Sequence, residues 1–294
     1  MKIAMGPHQL EMDGPFLTAL RESNDICGDA EALQARMEED GYLFIRGFHD
    51  RDKVLQARSE ILEQLHASGK LAIGSRPEQG LIGPDNKGAF WGGVNTDKPA
   101  FLEVVNSPKV MEFFSTFLGG EVSTYDYKWL RAVANGESTG AHYDIVYMGR
   151  GTPNLYTLWT PIGDTPVEMG TLAILLGSHQ WEHVRRTYGQ MDVDRDHTEG
   201  WFSNDPLEVI EKYGGRWATS DFQAGDAILF GMFTMHSSTV NVTDHIRISC
   251  DTRYQLTSEP IDQRWVGRKP KAHENITNKP LKKITEAKKE WGLA

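Results

Sequence analysis

The stretch 246-IRISCDTRYQL-256 alternates without interruption. Ile246, Ile248, Cys250, Thr252 and Tyr254 fall on one side of an extended chain, and Arg247, Ser249, Asp251 and Arg253 fall on the other. Period two marks a strand with one apolar and one polar face. If the polar face meets solvent, Arg247 is an ordinary surface residue. If it lines the lumen of a barrel, the guanidinium needs an anion, and a carboxylate is its bidentate match. The pattern alone leaves both readings open.

Working outward from this stretch, strands are expected at Val122 to Val133, Ile145 to Tyr147, Leu155 to Ile162, Leu172 to Leu176 and Ala227 to Phe233. They are rich in β-branched and aromatic residues and are separated by turn chemistry such as Asn135-Gly136, Gly163-Asp164 and Ala224-Gly225-Asp226. Such a succession predicts a sandwich or small barrel over about 121–256. The region about 29–118 reads as helical. Asp29 caps a helix carrying Ala30, Leu33 and Met37 and ending at Gly41, before a strand Tyr42 to Ile45. Asp50 caps a second helix with the stripe Val54, Ala57, Ile61, Leu62 and Leu65. Ala100 to Val105, Pro108 to Leu118 and Pro206 to Tyr213 complete the expected helices. Residues 70–100, with glycines from Gly74 to Gly93, read as a long ordered loop. With 181–205 it supplies the lid and pocket candidates Phe90, Trp91, Trp181 and Trp201. The segment 257–294 reads as a C-terminal surface arm. No repeat or linker divides the chain, so the expectation is one domain over 1–294, mainly β, with N-terminal helices packed on a β core.

Composition narrows the function. The chain has 294 residues, 39% hydrophobic and 24% charged, and 31 Lys+Arg against 41 Asp+Glu give a net charge of −10. That balance repels phosphate backbones, so nucleic acid is not an expected partner. No apolar run approaches the roughly 20 residues needed to span a bilayer, and the N-terminus lacks the apolar core of a signal peptide. Cys27 and Cys250 show no CxxC or zinc spacing, which favours a reducing compartment. A small-molecule partner and a cytoplasmic location are expected.

Most of the ten histidines sit in polar contexts: His8, His49, His66, His197, His245 and His273 read as surface residues. His179 and His183 have i,i+4 spacing, but Gln180 stands where a zinc-protease helix needs Glu. Arg150, in a glycine-flexed turn, reads as a solvated residue or as a contact for an anionic substrate group. His142 and Asp144 differ from these, because on an extended chain residues two apart project together, here an imidazole and a carboxylate, while Tyr143 points away. A hydrogen-bonded His-Asp pair without metal would look the same. His236, at the end of the strand from Ala227, would complete two imidazoles and one carboxylate, the facial set suited to non-haem Fe(II).

With Met169-Gly-Thr-Leu172, Leu176-Gly-Ser-His179, Gly225-Asp226 and Arg247, these residues resemble the phytanoyl-CoA dioxygenase family of Fe(II)/2-oxoglutarate oxygenases over about Glu31 to Gln255. The resemblance implies a double-stranded β-helix (jelly-roll, cupin-like) core. It implies His142, Asp144 and His236 as iron ligands and as the catalytic centre, Arg247 as the anchor for the far carboxylate of 2-oxoglutarate, Ser238 as its hydroxyl helper, and Trp159 as an aromatic near the cosubstrate. Lys128 or Arg131 would meet the other end of the oxoacid. The implied reaction uses Fe(II), O2 and 2-oxoglutarate to hydroxylate an unactivated C–H, releasing succinate and CO2. The carboxylate at 144 points to hydroxylation or desaturation rather than halogenation. The competing readings are a cupin-like metal enzyme that does not use 2-oxoglutarate and a non-catalytic ligand-binding β-helix.

Overall fold

A computed structural model describes residues 1–92, 96–273 and 280–293; the expected loop glycine Gly93 lies outside them. The strands, in chain order, are β1 Lys2–Met5, β2 His8–Glu11, β3 Leu17–Thr18, β4 Tyr42–Ile45, β5 Phe90–Gly92, β6 Val122–Thr124, β7 Trp129–Val133, β8 Tyr156–Pro161, β9 Leu172–Leu175, β10 Trp217–Ala218, β11 Ala227–Gly231, β12 His236–Ser238 and β13 Arg247–Leu256. β13 is the axis of the larger sheet, whose order is β4-β11-β8-β13-β7-β5, with β6 also paired to β13. A smaller sheet has the order β12-β9-β10-β3. The two form the open walls of a double-stranded β-helix.

The alternation in β13 has a physical partner on each side. Ile248 and Cys250 pack into a core with helices α2 (Arg51–Ala67) and α3 (Pro99–Val105), and Tyr254 packs into a second core with α1 (Ala30–Asp40) and α4 (Pro108–Leu118). Leu158 of β8 and Ala227 and Leu229 of β11 join that second core, whereas Trp159, Ile228 and Phe230 face the other way, onto Leu172, Ile174 and Ala218 of the small sheet. One face of the large sheet thus rests on helices, and the other looks into the lumen between the sheets. Arg247, Ser249, Asp251 and Arg253 are on the lumen face and all are buried, so the solvent-facing reading of that stretch is set aside.

The N-terminal helices form where capping and periodicity place them. Asp29 accepts the Ala32 amide at 3.1 Å, and Gly41 ends α1 with φ 78°, a conformation that favours glycine. Asp50 accepts the amides of Asp52 and Lys53, and the stripe from Val54 to Leu65 is buried.

Several expected elements differ. The strand Val122 to Val133 is two strands, broken after Thr124. Residues expected as a strand at Ile145 to Tyr147 form a helical turn, α5 (Ile145–Met148), because Asp144 has helical angles (φ −68°, ψ −28°). The strand from Ala227 ends at Gly231, and a turn over 232–235 separates it from His236. The loop 70–100 contains β5, an edge strand paired with β7. The C-terminal segment is not a surface arm throughout, since Trp265, Ala287 and Leu293 are buried in or against the core below the small sheet. No helix of the described residues is long and apolar enough to cross a membrane.

Candidate metal centre

His142 and His236 face each other as backbone partners. His142 N donates to His236 O at 3.0 Å, and His236 N donates to His142 O at 3.1 Å. This antiparallel pair brings the ring centroids to 4.1 Å. Asp144 arrives two residues after His142, at the start of α5. Its Oδ1 lies 3.8 Å from Nε2 of His142 and 3.7 Å from Nε2 of His236. Among the described residues, these three form the one group of His, Cys, Asp or Glu donors gathered within 4.8 Å of one another.

The donor chemistry fits a divalent cation. His142 Nδ1 lies 2.8 Å from Gly140 O, and His236 Nδ1 lies 3.0 Å from Thr234 O. A carbonyl only accepts, so each Nδ1 carries the proton and each Nε2 turns a lone pair toward Asp144. Burial, with the neighbouring His236, pushes His142 down to about 3, and burial also lowers His236. For Asp144, burial acts to raise the carboxyl, but Arg253, the two imidazoles and Thr157 outweigh it and hold it well below the usual carboxylate range. Two neutral imidazoles and one carboxylate are the protonation states a metal requires.

Three guanidiniums surround this group, those of Arg247 and Arg253 buried and that of Arg131 partly accessible. Arg253 Nη2 donates to Asp144 Oδ2 at 3.0 Å. Arg131 is ion-paired with Asp251 and keeps 26% of its side chain accessible. Arg247 is different: its Nη1 donates to Ser249 Oγ at 2.7 Å, its Nε has no partner, and no carboxylate pairs with it among the described residues. Burial and then Arg131 push Arg247 down to about 9. A buried cation without a counter-ion is costly unless an anionic ligand supplies one.

The remaining expected residues divide. Ser238 is buried two positions past His236, where its Oγ accepts the Thr139 amide at 2.9 Å; the hydroxyl that Arg247 meets is Ser249. Trp159 is in the lumen, opposite Asp251 across the β8–β13 ladder and packed on Phe222. Of the two cations before the His-Asp pair, Arg131 is on the lumen face. Lys128 is buried outside it, with its Nζ donating to Tyr125 O and Thr124 Oγ1. Arg150 is paired with Asp192 at 2.6 Å. His179 approaches Glu38 O at 2.9 Å and, with His183, belongs to no metal-ligand cluster among the described residues. His49, expected at the surface, is buried against Thr160 Oγ1 at 3.1 Å, because it packs under the large sheet. Trp201 covers Gly140, beside His142, and β5 sets Gly92 opposite Arg131. Trp181 packs at a tilt against Tyr213 instead.

Sequence reasoning did not single out Ser249, Asp251, Arg253 or Thr157. The alternation in β13 already set the first three beside Arg247. Thr157 carries no signal, because its relevance depends on strand register.

Comparison with known proteins agrees with this geometry. The chain is 27% identical over 279 residues to a 1-deoxypentalenic acid 11-beta-hydroxylase of Streptomyces exfoliatus, covering 88% of this chain and 93% of that protein. Among solved structures, the fold matches the epimerase SnoN from nogalamycin biosynthesis, in complex with Fe3+, alpha-ketoglutarate and nogalamycin RO. The TM-score is 0.58 at 20% identity, over 85% of this chain and 96% of that one. It also matches EctD from S. alaskensis with 2-oxoglutarate and 5-hydroxyectoine, with a TM-score of 0.56 at 18% identity, over 85% and 84% of the two chains. The model of the phytanoyl-CoA dioxygenase family matches residues 37–249, a span that holds the His-Asp-His group and Arg247. The chain belongs to the phytanoyl-CoA dioxygenase family and is an Fe(II)/2-oxoglutarate-dependent oxygenase.

Proposed function

We propose that His142, Asp144 and His236 hold the ferrous ion, that Arg247 with Ser249 takes the far carboxylate of 2-oxoglutarate, and that the enzyme hydroxylates an unactivated C–H of a small molecule. The observation that carries this reading is the guanidinium of Arg247, which no carboxylate pairs among the described residues, in the same lumen as three converging metal donors. When bound, the metal supplies oxygen activation coupled to decarboxylation of the oxoacid, yielding succinate and CO2.

The chain's own residues do the rest. Gly140 O and Thr234 O keep both imidazoles in the tautomer that offers Nε2. Arg247 fixes the oxoacid by one end, so its keto end is oriented without a search. Burial of the three donors keeps bulk water off the reacting centre. Arg131 and Asp251 stay paired at the more accessible part of the lumen, where a substrate's polar group would meet them. Ser238 and Trp159 line the same lumen, as hydroxyl and aromatic neighbours of the cosubstrate. The relative from Streptomyces exfoliatus is named for a small carboxylic acid, and small acids of that kind are the first substrates to try. Cys27 and Cys250 are both free thiols, which supports a cytoplasmic setting.

The test is succinate formation by the full chain with Fe(II), O2 and 2-oxoglutarate. The wild type is expected to release succinate, and His142→Ala and His236→Ala to release none. Metal-dependent turnover of a substrate without 2-oxoglutarate would overturn the reading.

A further inference from the structure

The two oxygens of Asp144 face different partners. Oδ1 faces both imidazole Nε2 atoms, whereas Oδ2 accepts two hydrogen bonds, from Thr157 Oγ1 at 2.5 Å and from Arg253 Nη2 at 3.0 Å. Thr157 and Arg253 are direct cross-strand partners in the β8–β13 ladder, both on the lumen face. Their convergence on one oxygen is therefore set by sheet register rather than by loop conformation. Arg253 is itself held on three sides. Its guanidinium carbon stacks 4.5 Å over the Trp129 ring, its Nε donates to Met148 Sδ at 3.1 Å, and its side chain is 1% exposed. Asp144 and Met148 bracket the single helical turn α5, so one guanidinium grips both ends of the segment that carries the carboxylate.

We propose that Arg253 and Thr157 are positioning residues for the metal: they occupy the outer oxygen of Asp144 so that only Oδ1 is presented alongside the two histidines. This rests on the metal-ligand reading above. A purely structural role would be an expensive choice, since a buried arginine–carboxylate pair can commonly be replaced by apolar side chains without loss of stability. A ligand carboxylate, by contrast, needs its free oxygen engaged if it is to stay in one orientation, and losing such a partner typically weakens metal binding about 10–100-fold. Thr157 alone cannot do this, because a hydroxyl supplies one hydrogen bond and no charge, and Arg253 alone would leave Oδ2 free to rotate about that single contact.

The test titrates Co2+ into the apo form of the full chain under anaerobic conditions, reading the dissociation constant and the visible d–d spectrum, with melting curves as a folding control. Arg253→Met is expected to weaken Co2+ binding about 10–100-fold and to alter the spectrum. Thr157→Val is expected to weaken it about tenfold, with Thr157→Ser restoring it and Arg253→Lys restoring part of the loss. Folded Thr157→Val and Arg253→Met proteins that both bind Co2+ like the wild type, with an unchanged spectrum, would overturn the clamp. If Arg253→Met does not fold, Thr157→Val against Thr157→Ser decides the matter alone. A wild type that binds Co2+ no better than Asp144→Ala would overturn the triad itself, so the two failures are distinguishable.

Discussion

Replacing Arg247 by methionine is expected to move two properties in opposite directions. In the apo protein the guanidinium is buried, bonded to one serine hydroxyl, and without a carboxylate. Its fall from 12.5 to about 9, driven first by burial and then by Arg131, corresponds to about 5 kcal/mol against the charged form, at about 1.4 kcal/mol per pKa unit. At neutral pH the group is charged both folded and unfolded, so that cost is carried in full. Because its folded value is the lower one, it is relieved only as pH rises above about 9. Methionine fills similar length without charge. It forfeits the Ser249 hydrogen bond, about 1 kcal/mol, and some packing. A net gain of about 1–4 kcal/mol in apo stability is expected, read as a melting temperature raised by about 2 °C per kcal/mol. 2-Oxoglutarate then stabilises the wild type alone. At a hundred times its Kd the cosubstrate stabilises the wild type by about 2.7 kcal/mol, and the methionine protein, lacking the anchor, shows no such rise. Thermal melts of both proteins, first apo and then loaded with Co2+ in place of iron with and without 2-oxoglutarate, make the measurement. A methionine variant that is less stable than wild type when apo, yet still stabilised by 2-oxoglutarate, would refute the assignment of Arg247 as an unpaired cation awaiting an anion.

Two further outcomes test the fold around the site. His49 is held at about 3 by burial and then by Lys109, so the unfolded chain binds a proton below pH 6.5 that the folded chain refuses; stability is complete above about 6.5 and falls as pH drops toward 3. Between pH 7 and pH 5 the wild type should lose about 2 kcal/mol more than His49→Gln, and parallel stability curves for the two would show that His49 titrates normally. Leu293→Ala should cost about 2–4 kcal/mol, because Leu293 is buried in the same core as Tyr188 and Phe202; a melting temperature unchanged from wild type would return the C-terminal segment to the surface.

How much could be read beforehand varied with the kind of information each feature needs. Local rules placed the first helices well, since Asp29, Gly41 and Asp50 cap them by short-range hydrogen bonds and backbone angles. The alternation of β13 announced a two-faced strand. It could not say which face met solvent, because that depends on a second sheet whose strands lie far away in the chain. The pairing of the His142 imidazole with the Asp144 carboxylate is legible from spacing, but the backbone route that brings them together is not. The spacing predicts extended chain through both residues, whereas His142 is extended and Asp144 already turns into α5. The turn comes from tertiary anchoring, with Oδ2 of Asp144 tied to Thr157 and Arg253 across the lumen. His49 and the C-terminal segment depart from expectation for a related reason: their polar or Lys-rich neighbours suggest exposure, while burial comes from elements remote in the chain.

The mutual backbone bonds between His142 and His236 bear on how this scaffold tolerates change. Two candidate ligands joined as rungs of one ladder keep their spacing through their own backbone bonds, whereas the chain between them is tied down separately, its helix Pro206–Tyr213 seated in the core through Val209 and Ile210. A change confined to an exposed turn of that intervening chain therefore leaves the separation of the two imidazoles where the ladder sets it.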